Sequence, residues 1–338
     1  MTEKVSTIVL VSIVESADYL AATYALGSGP WTLRPVTRGA MGQVWQLSGD
    51  ESSWAVKELL FGPDEGEVRS EATLRDAAAK LGVASPRLMT NRSNEYVSRL
   101  PPEFGHCHVK LYDWVEGSAA DASDQDVLGW VGRTLALLHQ AGVDATETPD
   151  SWYQQCPTDN DWAGLLQEAR RADASWSGEL ERFVETSASV LSPHVTPAAP
   201  GDLLTSHRDV QPQNVLIGAS GPVLLDWDDT GPTTAERELA GVLYVWAGRN
   251  QLRIDFAQRL LGSYQESGGP GEVRNLGSFS SFFAGSLNYL YVQGRDALNP
   301  NLTDEQRHFA DAQVRKALRD MPCGDRVSRL VEAAGGTP

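Results

Sequence analysis

The sequence predicts an α+β protein of two lobes, a small antiparallel β-sheet with one helix followed by a larger, mainly helical region. Three observations predict it. Residues 31–60 alternate with the period of strands, the apolar period becomes helical from Asp124 onward, and 338 residues exceed the roughly 250–300 at which a single core stops growing. Hydrophobic content of 41% with no long polar tract is enough to fill such cores.

The apolar run Thr7 to Val14 is too short to cross a bilayer, and Glu15 ends it without a small-residue cleavage site, so no signal peptide is expected. Residues 1–30 read as an N-terminal extension or helix ahead of the main fold. Trp31 to Val36, Gln43 to Leu47 and Trp54 to Leu59 make an antiparallel meander, and Val68, Ala72, Leu74, Ala78 and Leu81 mark a helix over 66–81 that Gly82 stops. Short strands at Arg87–Met89 and Tyr96–Leu100 lead to His108–Val115, which closes a first lobe spanning 31–117. In the helical remainder, 118–338, helices are expected over 124–142, 161–173, 177–191, 233–249, 251–265, 274–292 and 303–320. The only later β signals are Val215–Ile217 and Val223–Leu225.

Charge narrows the function. A net charge of −17 opposes nucleic acid and anionic membranes as partners, and three cysteines without a CxxC pair suit a reducing cytoplasm. The excess is local: residues 111–200 carry 4 Lys+Arg against 15 Asp+Glu. Such a field is either a solvated helix surface or an attractor for a cationic small molecule. His106-Cys107-His108 is a poor zinc site, because adjacent residues cannot easily all reach one ion.

The chemistry concentrates in SHRDVQPQNVLIGASGPVLLDWDDTG, Ser206 to Gly231. Its two apolar runs, joined by Gly218-Ala-Ser-Gly-Pro222, read as a hairpin with Asp209 and Asn214 before the first strand and Asp226 and Asp228 after the second. The polar ends then share one edge. Phosphoryl transfer uses that set: a carboxylate to accept the hydroxyl proton, and an amide and a carboxylate to hold magnesium against nucleotide phosphates.

His207-Arg-Asp209, Asn214 and Asp226 resemble the catalytic and metal motifs of the protein-kinase-like superfamily, and Pro212 with Asp226-Trp227-Asp228 resembles its aminoglycoside phosphotransferase/choline kinase-like branch. The resemblance implies a protein kinase-like two-lobed fold, ATP or GTP with Mg2+ as cofactors, Asp209 as catalytic base, and Asn214 and Asp226 as metal ligands. It also implies Asp228 as a supporting acid and His207 as a brace of the loop. Lys57, in Ala55-Val56-Lys57, would bind the nucleotide phosphates, held by Glu71 rather than Glu67 on the next helix. Gly39 and Gly42, in the loop Arg38–Val44, would cover the phosphates with backbone N–H groups, and Leu111–Gly117 would be the hinge whose backbone bonds adenine near Tyr112 to Trp114. His139 reads as structural.

About ten residues separate Asp226 from the helix of Glu236–Gly241, which leaves no room for a long activation segment and disfavours an ordinary protein kinase. Glu238-Leu239-Ala240 resembles the Asp-Leu-Ala of small-molecule phosphotransferases. The acidic middle third interleaves carboxylates, Asp159 and Asp161 among them, with Trp152, Tyr153, Trp162 and Trp176. Expected, then, is an O-phosphotransferase of an amine-bearing small molecule such as an antibiotic, with Asp159, Asp161 and Glu238 as acceptor-binding candidates. The alternatives are a kinase of Ser/Thr hydroxyls in a peptide or protein, and a non-catalytic nucleotide-binding regulator. Arg208 has no assigned partner, since in regulated kinases that arginine meets an activation-loop phosphate.

Overall fold

Residues 32–59 fold as their alternation predicts. In the computed structural model, which describes residues 13–38, 42–59, 64–142, 145, 147–249 and 251–338, strands Thr32–Arg38 (β1), Gly42–Ser48 (β2) and Ser53–Leu59 (β3) form an antiparallel meander. Leu88–Met89 (β4), Val97–Arg99 (β5) and His108–Asp113 (β6) extend it to an antiparallel sheet ordered β1-β2-β3-β6-β4, with β5 also on β6. The chain divides into two compact units, Met1–Ala120 with Gln213–Gly231, and Asp121–Pro212 with Pro232–Pro338. The hairpin placed by sequence in the helical region therefore joins the sheet's unit, and the division falls at Ala120 instead of 117.

Both faces of the sheet are covered, which corrects the single helix expected there. On one face the helix Ala17–Thr23 (α1) contributes Ala17 and Leu20, which pack with Ile13, Tyr24, Leu33, Trp45, Leu47, Val56, Val109 and Leu111. Residues 13–24 thus belong to the core and are no detached extension; removing Leu20 alone would forfeit the roughly 1.5–3 kcal/mol of a fully buried leucine. On the other face, helix Glu65–Lys80 (α2) sets Val68 and Ala72 against Leu88 and Tyr112. Asp64 starts α2, its carboxylate accepting from the Gly66 and Glu67 amides at 2.6 and 3.4 Å. Because β6 is central and covered on both faces, Val109, Lys110, Leu111 and Tyr112 are all buried. A continuous buried run is what such a strand shows in place of alternation.

Within the same unit, Gly117–Ala119 (β7), Val215–Gly218 (β9) and Gly221–Leu224 (β10) form a second antiparallel sheet. The predicted hairpin is β9–β10, closed by the pair Gly218↔Gly221, with Gly221 at φ 112° where other residues are strained.

The second unit is mainly helical. Its helices are Gln125–Ala141 (α3), Asp159–Arg171 (α4), Ser177–Phe183 (α5), Ala235–Leu243 (α6), Ile254–Glu266 (α7), Ser280–Leu298 (α8), Asp304–Asp320 (α9) and Gly324–Ala333 (α10). The helices expected over 177–191 and 233–249 loosen into wider π-type turns at Val184–Ala188 and Tyr244–Gly248. Asp124 caps α3 by accepting from the Asp126 amide at 2.8 Å. α3 and α7 approach so closely that a Cβ on Gly132 would lie 2.2 Å from the Leu260 carbonyl oxygen. Trp162 and Trp176 are core residues, 2% and 1% exposed. Leu203–Ser206 (β8) pairs with Gly231–Thr234 (β11), two strands too short and too polar to stand out in the sequence. Among the described residues, no helix is long and apolar enough to cross a membrane.

Candidate active site

The sheet's unit builds a cluster of charged side chains from two strands, one helix and the end of the hairpin. β3 and β6 pair with Lys57 directly opposite Lys110, so both side chains rise from the same face, the face covered by α2. Like charges so placed repel, and three carboxylates compensate. Lys57 Nζ lies 2.5 Å from Asp226 Oδ1 and 2.6 Å from Asp228 Oδ2. Lys110 Nζ bonds Asp228 Oδ1 and lies 2.7 Å from Glu71 Oε2. Tyr112 Oη donates to Glu71 Oε1 at 3.1 Å, and Arg75 Nη1 is 3.8 Å from the same oxygen.

This geometry corrects the expected pair. Glu71 does not hold Lys57; Lys110 takes the glutamate, and Lys57 is held by the two aspartates. Burial works against charge on Lys57, yet Asp228 and Asp226 outweigh it and raise its pKa above the ordinary lysine value. Burial likewise opposes charge on Asp228, and Lys110 and Lys57 overcome it, so its carboxyl stays below the usual carboxylate range. The side chain of Asp226 is the open member, 42% exposed against 3% for Glu71 and Lys110.

The hairpin sets Asp226. The Leu225 amide donates to the Asn214 carbonyl at 2.8 Å, one step beyond the ladder pair Val215↔Leu224, so Asn214 and Asp226 sit at the same end of the hairpin. Asp226 takes φ 57°, and the buried Trp227 donates its indole N–H to the Leu224 carbonyl at 3.3 Å. A left-handed non-glycine residue at a carboxylate costs roughly 1–3 kcal/mol and is held only by well-determined surroundings.

The second unit builds the loop of Asp209. It leaves β8 at buried Ser206 and His207, and the Asp209 amide donates to His207 Nδ1 at 3.2 Å. Gln211 Nε2 donates to Asp209 Oδ2 at 3.0 Å, and the Trp246 indole donates to the Val210 carbonyl at 2.9 Å. Arg208, at φ 63°, gives its amide to Glu238 Oε1 at 2.7 Å and lays its guanidinium 4.6 Å from the centre of the Tyr153 ring. The arginine thus has local partners in its own unit and needs no activation-loop phosphate.

Glu238 is 6% exposed, and its other oxygen lies 3.0 Å from His139 Nε2. His139 Nδ1 is 2.9 Å from Tyr264 Oη, which accepts from the Gly271 amide at 2.7 Å. The neutral ring that accepts the Tyr264 proton at Nδ1 is the tautomer that donates to Glu238 from Nε2. Burial raises the Glu238 carboxyl, but His139, Ser206 and the Arg208 amide together hold it below its ordinary value. His139 is structural, as read from the sequence. Glu238, expected at the acceptor, ties the loop of Asp209 to α3 and, through His139 and Tyr264, to α7.

With the geometry in place, the comparisons decide the family. The model of the APH phosphotransferase enzyme family matches residues 32–276, most of the chain. The chain belongs to that family. It is accordingly a phosphotransferase of small-molecule hydroxyls. Its fold is shared with spectinomycin phosphotransferase solved with ADP and spectinomycin, at 18% identity over 95% of this chain and 98% of that one, with a TM-score of 0.64. It is shared too with an aminoglycoside phosphotransferase from Alicyclobacillus acidocaldarius (17% identity, 90% and 94% covered, TM-score 0.58). It is shared also with an amicoumacin kinase solved in complex with AMP-PNP, Ca2+ and Ami (14% identity, 95% and 96% covered, TM-score 0.60). No curated protein matches the chain in sequence.

The remaining expected residues of the phosphotransferase divide. Gly39 lies outside the described residues. Gly42 is needed by the sheet itself, since a Cβ there would lie 2.1 Å from the Glu58 carbonyl oxygen. Gly42→Ala should therefore cost about 1–3 kcal/mol of stability as an overpacked site, checked by denaturant unfolding. Tyr112 is a poor hinge contact, because β6 pairs with β3 and β4 on its two sides there and its hydroxyl is spent on Glu71. Trp114 lies just past the last ladder pair Trp54↔Asp113 and is half-buried, with its indole donating to Glu116 at 2.6 Å. Asp161 is the reciprocal partner of Thr158 in the capping box of α4, and Asp159 is exposed in that helix's first turn. The residue sequence reasoning missed is Lys110; its only signal was a lysine in the middle of an otherwise apolar strand.

Proposed function

We propose that the protein is an ATP-dependent O-phosphotransferase that passes the γ-phosphoryl group to a hydroxyl of an amine-bearing small molecule. The observation that carries this reading is the buried Lys57 held by Asp226 and Asp228 at the hairpin end that also carries Asn214. A carboxylate and an amide offer oxygen ligands to a hard cation, and two protein ligands leave the rest of a magnesium shell to phosphates and water.

Asn214 and Asp226 would hold the magnesium, which when bound neutralises charge developing between the β- and γ-phosphates. Lys57, turning from Asp226, would bond the phosphates and position the γ-phosphoryl group. Asp209 would accept the acceptor's hydroxyl proton as the new O–P bond forms and the bond to the departing ADP oxygen breaks. His207, Gln211 and the Glu238 network hold that carboxylate in place. Trp114 marks the backbone expected to bond adenine. The charge of the middle third, with 4 basic against 15 acidic residues, supports a cationic acceptor. So do the spectinomycin and Ami bound by proteins of this fold.

ADP release from magnesium–ATP, measured with aminoglycosides, cyclic-peptide antibiotics, choline and Ser/Thr peptides, tests the reading. Turnover is expected with an amine-bearing small molecule. Turnover with peptides alone would make it a peptide kinase, and nucleotide binding without consumption would make it a regulator. Asp226→Ala should weaken magnesium–nucleotide binding by about 10–100-fold, the scale of lost metal-site support, read by calorimetric titration with and without magnesium.

A further inference from the structure

Lys110 has no place in the mechanism above, yet it is 2% exposed and makes two ionic contacts. Burying an ammonium is costly unless it is fully paired, and here both partners face other charges as well. Asp228 is shared: one oxygen binds Lys110 and the other lies 2.6 Å from Lys57. Glu71 is shared too, among Lys110, Tyr112 and Arg75. The contacts form one chain from α2 through β6 and the hairpin end to β3: Glu71, Lys110, Asp228, Lys57, Asp226.

The charges balance along it. Lys57, Lys110 and Arg75 face Glu71, Asp226 and Asp228, three of each sign. The ladder places the two lysines directly across from one another. Asp228 bridges them and Glu71 anchors the inner one, so Lys57 cannot reach inward to a glutamate already taken. Its ammonium is turned toward Asp226, the open end of the chain.

We propose that Lys110 is a positioning residue of phosphoryl transfer: it replaces the direct Lys57–glutamate pair by a relay through Asp228 that aims Lys57 at the nucleotide phosphates. The inference rests on the nucleotide-binding reading above. When Asp226 turns to the metal, Asp228 and Lys110 still fix Lys57 from behind. Without Lys110, Asp228 is left with Lys57 and Glu71 with Arg75, an excess of negative charge that draws Lys57 inward.

The test compares wild type, Lys110→Met and the double variant Lys110→Met with Glu71→Gln, which removes one charge of each sign. Thermal unfolding without ligand and calorimetric titration with magnesium–ATP are read on each. Lys110→Met should be destabilised, and the double variant should regain most of that loss. Both should bind magnesium–ATP about 10–100-fold more weakly than wild type, the scale of a misplaced reacting group. Recovery of stability without recovery of affinity separates positioning from mere folding support. If the folded double variant binds magnesium–ATP as wild type does, the relay is wrong while the nucleotide reading stands. If the wild type binds no magnesium–ATP, the nucleotide reading itself falls and takes the relay with it.

Discussion

Asp209→Asn should leave the fold and nucleotide affinity within about twofold of wild type and lower phosphoryl transfer by about 10²–10⁴-fold, the usual contribution of a positioned base. That is about 3–5 kcal/mol of transition-state stabilisation. The asparagine keeps the shape of the side chain and an oxygen to accept from Gln211 Nε2, now 3.0 Å from Asp209 Oδ2, so the loop has no reason to rearrange. What it cannot do is take a proton. KM for the acceptor should change little while kcat falls, because the base acts only as the hydroxyl loses its proton. Steady-state kinetics beside nucleotide titration check both halves.

Glu238→Ala should be the most damaging single change to the second unit, costing about 3–5 kcal/mol as a buried charged partner is removed from groups that stay buried. The alanine would orphan the Arg208 amide, 2.7 Å from Oε1, and His139 Nε2, 3.0 Å from Oε2, neither of which water easily reaches. His139 is fully buried. Glu238→Gln keeps an acceptor for one of them and should lose less than half as much. Activity should fall with stability in both variants, since Arg208 immediately precedes Asp209 and its φ of 63° is sustained by that amide bond. Chemical denaturation of the two variants reads the difference. A role at the acceptor, as the sequence suggested for Glu238, would instead raise KM and leave unfolding untouched.

The contrast between these two residues shows where the sequence was legible. Asn214 and Asp226 lie at the ends of one local hairpin, so spacing alone carries their geometry, and Asp209 stands out in the same short stretch. Lys57 could be read because the strand around it alternates and its neighbours in the meander are sequential. Lys110 could not: its burial comes from a central strand covered on both faces, and its partners Glu71 and Asp228 lie 39 and 118 residues away in the chain. Glu238 misled for a related reason. An acid in the first turn of a helix looks available, and nothing nearby in sequence announces that His139 and the Arg208 amide converge on it. Residues 13–24 likewise read as an extension or helix with no stated place, because the sheet face they cover is assembled from strands up to about ninety residues further on. Local chemistry was visible, whereas pairing across long separations needed the fold.

The central claim is that this constellation moves a phosphoryl group from ATP to a small hydroxyl acceptor through Asp209. The most direct measurement is phosphorus NMR of ATP incubated with magnesium and an amine-bearing acceptor identified from the panel, with wild type and Asp209→Asn side by side. A phosphate-ester signal that grows as ADP forms with wild type, and is all but lost with a variant that still binds ATP, is the predicted result. Equal ester formation by the two proteins would contradict the account.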